Sequence, residues 1–150
     1  MSWSDRLAEL GLTLPAVATP AGAYVPALRS GSLVFTAGQL PLTGGALEAV
    51  GKLGAEIDVE QGKRLARTCA LNALAAVDAL AGLDAVVRVV KVVGFVASAP
   101  GFTAQPAVVN GASELLGEVF GEAGVHARSA VGVAELPLGA PVEVELIVEV

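Results

Sequence analysis

Four residue types that supply much of enzyme chemistry are nearly missing from this sequence, which has one cysteine, one histidine, one tyrosine and one tryptophan in 150 residues. A lone thiol, Cys69, excludes an internal disulfide and any cysteine-based metal cluster. With His126 as the only imidazole, no zinc-type ligand set is available within the chain, so neither a metal nor a cofactor is expected. Positive charge is also scarce. Nine Lys and Arg stand against fifteen Asp and Glu, for a net charge of −6 and a pI near 4.7. Nucleic-acid phosphates are gripped by clustered cations, and here the cations are scattered, which argues against a nucleic-acid partner. Nor is there an uncharged apolar run of about 20 residues, the length a bilayer span needs. The best candidate, Val86 to Val96, is interrupted by Arg88 and Lys91. No basic segment followed by an apolar one opens the chain, so no signal peptide is read. The expectation is a soluble, cytoplasmic protein with no membrane contact.

What is abundant is small aliphatic carbon. The chain is 54% hydrophobic but only 4% aromatic, so its core must be built from Val, Ala and Leu. That composition excludes disorder, and the length suits one domain. So much apolar surface on so small a chain favours burial between identical subunits.

Residues 1–21 read as a peripheral segment. Ser4 is placed to cap a brief helix over Asp5 to Leu10, ended by Gly11, and Pro15 and Pro20 then forbid regular structure. Tyr24 to Leu28 and Leu33 to Ala37 are β-type runs with turn chemistry at Arg29-Ser30-Gly31-Ser32, which predicts a hairpin. Thr43 to Gly54 reads as loop, with Gly44-Gly45 in no phosphate-binding context. Asp58 opens the clearest helix, with Gln61 three residues on to close a capping box. Leu65, Cys69, Ala73, Ala76, Val77 and Leu80 recur at helical spacing, and Gly82 ends the helix. Cys69 lies on that apolar stripe and reads as an inert core thiol.

Val86 to Ala97 is a strand, apolar on nearly both faces, which an open sheet with one wet face would not need. A second helix starts near Pro106 and stops at Gly121 or Gly124. The last quarter reads as two strands joined by a Pro/Gly turn, the first opening on Arg128. In the second, Val142, Val144, Leu146, Val148 and Val150 share one face, and Glu143, Glu145, Ile147 and Glu149 the other. The order is β-β-α-β-α-β-β, an α+β domain with its helices on one sheet face.

Two blocks carry a resemblance. Ala127-Arg128-Ser129-Ala130-Val131, then Leu136-Pro137, Gly139-Ala140 and Val142-Glu143-Val144-Glu145, resembles the C-terminal signature of the RidA/YjgF family of reactive-intermediate (enamine/imine) deaminases. Leu33-Val34-Phe35-Thr36-Ala37-Gly38-Gln39-Leu40-Pro41 resembles the family's Leu-Val-Phe-Thr-Ser-Gly-Gln-Ile-Pro, and Gly22-Ala23-Tyr24 its Gly-Pro-Tyr. The likeness runs over residues 22–150. It implies a chorismate-mutase-like fold, a trimer whose sheets line a central barrel, and sites in clefts between subunits. The first 21 residues and the stretch from Ala99 to Val109 are longer than in the short archetype, which marks a long-form branch.

The same resemblance assigns roles. A planar guanidinium offers two parallel donors that match a carboxylate. Composition alone would leave Arg128 a surface arginine paired with a neighbouring acid; the Ala-Arg-Ser-Ala-Val block assigns it instead to the substrate carboxylate. Glu143 matches the acid that positions or activates water, against the plainer reading of a solvated strand glutamate. Tyr24 matches the tyrosine lining the cleft, Asn110 an asparagine on the second helix, and Ala37 replaces a serine, removing a hydroxyl contact. His126 is closer to a loop histidine before a strand than to a general base. The implied function is hydrolytic deamination of enamine/imine acids of the 2-aminoacrylate type, to 2-keto acids and ammonia, by a hydrolase acting on C–N bonds. The alternative is a non-catalytic trimer that binds small carboxylates or another protein.

Overall fold

A computed structural model describes all 150 residues. The elements are α1 (Trp3–Glu9), β1 (Ala27–Ser30), β2 (Leu33–Thr36), β3 (Leu42–Thr43), β4 (Ala46–Leu47), α2 (Val59–Ala81), β5 (Arg88–Ala97), α3 (Gln105–Phe120), β6 (Ala127–Val133) and β7 (Val142–Glu149). One mixed sheet runs in the spatial order β1-β2-β7-β5-β6, and β3 pairs with β4 alone. The α+β reading and the order of the main elements hold; the brief N-terminal helix is present as α1, starting two residues earlier than expected, and only the small hairpin β3–β4 is added.

The unit β5-α3-β6 is a parallel pair joined by a helical crossover, the connection parallel neighbours require. The free edge of β5 is taken by β7, antiparallel. This corrects the expectation that the last two strands adjoin: β5 lies between β6 and β7. A turn can join antiparallel neighbours only when no other strand claims the place between them, and here the parallel pairing claims it.

Both helices lie on one face. Val142, Val144, Leu146 and Val148 of β7, with Val89, Val92 and Val96 of β5, are fully buried beneath them. Each such side chain contributes about 1.5–3 kcal/mol relative to exposure. A bulge between Val89 and Lys91 shifts the β5 register by one residue, which puts Val89 and Val92 on the same face. The opposite face carries Phe35, Val93, Phe95, Val131 and Ile147 among acids, half-covered or exposed. The two helices meet closely. A Cβ at Gly111 of α3 would collide with the backbone carbonyl of Lys63 on α2, so only glycine permits this approach.

Several local expectations need correction. Ser2, not Ser4, caps α1, because Asp5 stands three residues after Ser2 and returns the bond as a capping box. Ser4 instead binds Asp84. The first strand begins at Ala27 rather than Tyr24, since Pro26 lacks the N–H a ladder needs and residues 21–24 form a bend. The hairpin turn shrinks to Gly31-Ser32, with Gly31 at φ 61°. Thr43 to Gly54 is not all loop: Gly44 and Gly45, at φ 61° and 82°, turn the β3–β4 hairpin, which two consecutive positive φ values favour. Asp58 does accept the Gln61 N–H at 2.8 Å, but no side-chain bond comes back from Gln61, so only half of the expected box forms. Gly82 ends α2, at φ 81°.

Candidate functional site

Arg128 is the second residue of β6, opposite Val92 of β5 in the register, on the face that looks toward the helices. β6 is an edge strand, so its helix-side residues meet the flank of α3. Pro106, Asn110 and Ser113 recur at i, i+4 and i+7 and make one stripe along that flank. Arg128 Nη1 donates to Asn110 Oδ1 at 2.8 Å and to Ser113 Oγ at 3.2 Å, and Nη2 donates to the Pro106 carbonyl at 3.3 Å. Every partner is a neutral oxygen. The four ion pairs of the chain join Arg6, Lys52, Lys63 and Arg67 to glutamates, and none involves Arg128. The guanidinium is part-buried, oriented and not neutralised, and its Nε–H and one Nη2–H stay unused, the pair of parallel donors a carboxylate takes.

Glu143 is built differently. Its strand, β7, pairs with β2 as far as Phe35 opposite Ile147, then again at Gln39 opposite Val144. The numbering drifts by one between those two points, so Thr36-Ala37-Gly38 bulges out of the ladder. Thr36 Oγ accepts the Leu146 N–H at 3.0 Å, which satisfies the backbone donor the bulge leaves behind. The bulge brings Gly38 under the Glu143 carboxyl. A Cβ at residue 38 would collide with Glu143 Oε1, so glycine is required for this side chain to lie where it does.

Above it opens a cleft of about 830 Å³ lined by Tyr24, Val25, Leu28, Phe35, Ala37 and Glu143, with Ala21, Thr36, Gly38 and Pro137 completing it. The Tyr24 hydroxyl accepts the Ala21 N–H at 3.1 Å. No group of the chain donates to the Glu143 carboxyl. Burial, and after it the like charge of Glu145, hold Glu143 above the ordinary carboxylate range. Nearby Cys69 is fully buried; burial first, then the charges of Glu143 and Glu48, push its thiol well above the usual range, which makes it inert.

Within one chain the residues form two groups. Arg128 and Asn110 come together on the helix side of the sheet edge, and Tyr24, Ala37 and Glu143 on the open face. β5 separates Arg128 from Glu143, and with a three-residue offset in register their Cα atoms lie roughly 14 Å apart by standard strand spacings. His126 is the loop residue just before β6, as expected, and both its ring nitrogens are bonded, to Ser113 and to the Gly124 carbonyl. Three contributors escaped the sequence reading: Gly38, Ser113 and the carbonyl of Pro106. The stripe at 106, 110 and 113 was a visible signal for two of them.

One mixed sheet with two helices on one face makes an α+β domain that matches the YjgF/RidA fold. Residues 15–150 match the family described as endoribonuclease L-PSP, the YjgF/RidA family, and the chain belongs to it. It is 50% identical over 148 residues to protein TCP17 of Trypanosoma cruzi, spanning 96% of this chain and 91% of that one. Protein Atu1372 of Agrobacterium tumefaciens superposes with a TM-score of 0.91 at 46% identity, over 99% of this chain and 92% of that one. A candidate endoribonuclease of Shewanella oneidensis reaches 0.96 at 34% identity, over 100% of both chains. The YjgF gene product of E. coli is farther, at 0.64 and 30% identity over 90% of this chain and 98% of that one. Names among similar structures range from candidate endoribonuclease and candidate translation initiation inhibitor to RidA. The family therefore identifies the fold and does not single out a reaction. No helix is long and apolar enough to cross a membrane.

Proposed function

We propose that the chain is a hydrolytic deaminase of reactive enamine/imine acids and that it works as a homotrimer. The observation that carries this reading is the Arg128 guanidinium, clamped by three neutral oxygens with two parallel donors unused. A half-buried cation that no acid neutralises is costly unless an anion completes it, and a small carboxylate fits. The half-exposed apolar residues on the open sheet face supply a surface for neighbouring copies to cover. A neighbour seated there brings its Arg128 edge toward the Glu143 cleft, and the complete site then combines two subunits.

The substrate is an iminium acid, with its carboxylate on Arg128. Water adds to the imine carbon while Glu143 takes one of its protons, giving a carbinolamine. Glu143 returns that proton to nitrogen and takes up the carbinolamine hydroxyl proton as the C=O forms and the C–N bond breaks; ammonia and a 2-keto acid leave, and ammonia carries off the last proton as ammonium. A carboxyl held above the ordinary range is suited to carry a proton both ways near neutral pH. The family's endoribonuclease description fits this chain less well, since its net charge is −6 and its cations form no stripe.

The test is semicarbazide trapping. A pyridoxal-phosphate lyase or amino-acid oxidase generates imines, and the protein is expected to suppress the trapped product in proportion to its concentration. Unchanged trapping across a panel of imine acids, together with tight binding of a stable carboxylate, would establish a binding module instead.

A further inference from the structure

Arg128 is not held by Asn110 alone; behind Ser113 stands His126. The direction of each hydrogen bond follows from what the atoms are able to donate. His126 Nδ1 lies 2.6 Å from the Gly124 carbonyl, which only accepts, so Nδ1 carries the ring proton. In the neutral ring Nε2 is then an acceptor, 2.9 Å from Ser113 Oγ, and it takes the hydroxyl proton. That leaves a lone pair of Ser113 Oγ facing Arg128 Nη1 at 3.2 Å. The chain runs one way, from the guanidinium through the hydroxyl and the imidazole to a backbone carbonyl. Its far end is fixed, because Gly124 is buried and a Cβ there would collide with the Leu116 carbonyl, one turn before the end of α3.

A serine inside a helix tends to bond its own i−4 carbonyl, here that of Val109. His126 competes for that proton and keeps the oxygen turned toward Arg128. We propose that Ser113 and His126 are positioning residues: neither touches the ligand, and Ser113, kept in place by His126, holds one Nη1 hydrogen while Asn110 holds the other, so that the Nε–Nη2 edge faces it. This rests on the reading of Arg128 as the carboxylate anchor.

The experiment titrates the full-length protein with pyruvate, followed by NMR, and pairs it with steady-state kinetics on imine acids. Ser113→Ala is expected to weaken pyruvate binding about tenfold, the scale of one hydrogen bond to a charged group, and His126→Phe about threefold, the scale of a bond between neutral groups. His126→Gln, which restores an acceptor, is expected to recover most of the loss. The double variant Ser113→Ala/His126→Phe is expected to be no worse than Ser113→Ala alone, since the imidazole acts only through the hydroxyl. KM rises with little change in kcat, the pattern of lost uniform binding. In an Arg128→Ala background, Ser113→Ala is expected to change nothing.

Additive losses in the double variant would overturn the relay, as would a full Ser113→Ala effect without Arg128. A large loss in Arg128→Ala with none in Ser113→Ala would overturn the relay alone. Wild-type binding by Arg128→Ala would overturn the anchor itself. Unfolding midpoints of all variants within about a degree of wild type would exclude a merely structural cause, as expected for partly exposed sites.

Discussion

The two halves of the candidate site reach their geometry by opposite means. Around Arg128 the chain adds side chains: a helix stripe supplies an amide, a hydroxyl and a carbonyl, and every bond is made to a neutral oxygen. Around Glu143 it removes them. A bulge and a glycine clear space, Ala37 brings no hydroxyl, and the carboxyl is left with no donor in the chain. The first arrangement fixes a charge in place and leaves it ready for an anion. The second raises a proton affinity by withholding solvent and partners. An anchor needs rigidity; a proton carrier needs a poised pKa. The contrast is what a division of labour between binding and turnover requires, and the proposed trimer is what would bring the halves together.

The largest effect tests that juncture directly. Arg128→Ala and Glu143→Gln are each expected to be nearly inactive alone. Unfolded together and refolded as mixed trimers, they are expected to regain about a quarter of wild-type activity, since random mixing restores one intact Arg128–Glu143 pairing in four. No recovery would place the site within single chains, or abolish it. Next, Glu143→Gln alone is expected to lower kcat by roughly a hundred- to ten-thousand-fold while leaving pyruvate binding intact. Arg128→Ala is expected to weaken that binding by about 2–5 kcal/mol, and Arg128→Lys substantially less, because charge survives but the planar fork does not. Calorimetry or NMR titration separates the two.

Gly38→Ala is a smaller perturbation with a sharp meaning. The new methyl meets the tip of a flexible glutamate rather than backbone, so the fold survives, but Glu143 must move aside. Turnover is expected to fall about ten- to a hundredfold from that displacement, with the Arg128 half untouched. The smallest effect is on stability against pH. Glu143 holds its proton more tightly folded than unfolded, so protonation favours the fold. That contribution is complete below the unfolded value of about 4.3 and is lost as pH rises through the higher folded value. Glu143→Gln is therefore expected to melt above wild type at pH 8, with the gap closing by pH 4.

How much of this was legible beforehand differs between the halves in the same way. Arg128 was named from a short block of sequence and Asn110 from its match to an asparagine on the family's second helix, and α3 put them in hydrogen-bond contact. Ser113 went unnoticed because a serine on a helix carries no signal until a strand is known to run beside it. Gly38 was visible only as part of a Gly-Gln pair. Its role depends on how β2 and β7 align, and a one-residue drift in register is a property of two strands more than a hundred residues apart. The N-cap at Ser2 was legible and misread, since two serines two residues apart compete and only one has an acid three residues on.

By itself the sequence determined the kinds of elements and their order. Two-residue alternation in β7, helical spacing in α2 and the Pro and Gly punctuation between them are local properties, and local physics is enough to read them. The scarcity of cysteine, histidine and positive charge likewise excluded whole chemistries without any coordinates. Only the tertiary structure decided which strands are neighbours. The last two strands looked like a pair, and a third took the place between them, because the parallel pairing of β5 with β6 is a non-local choice, made as α3 packs its apolar side onto the sheet and carries β6 to the edge of β5. That choice puts Arg128 and Glu143 on opposite faces of one sheet, which no spacing along the chain could have revealed.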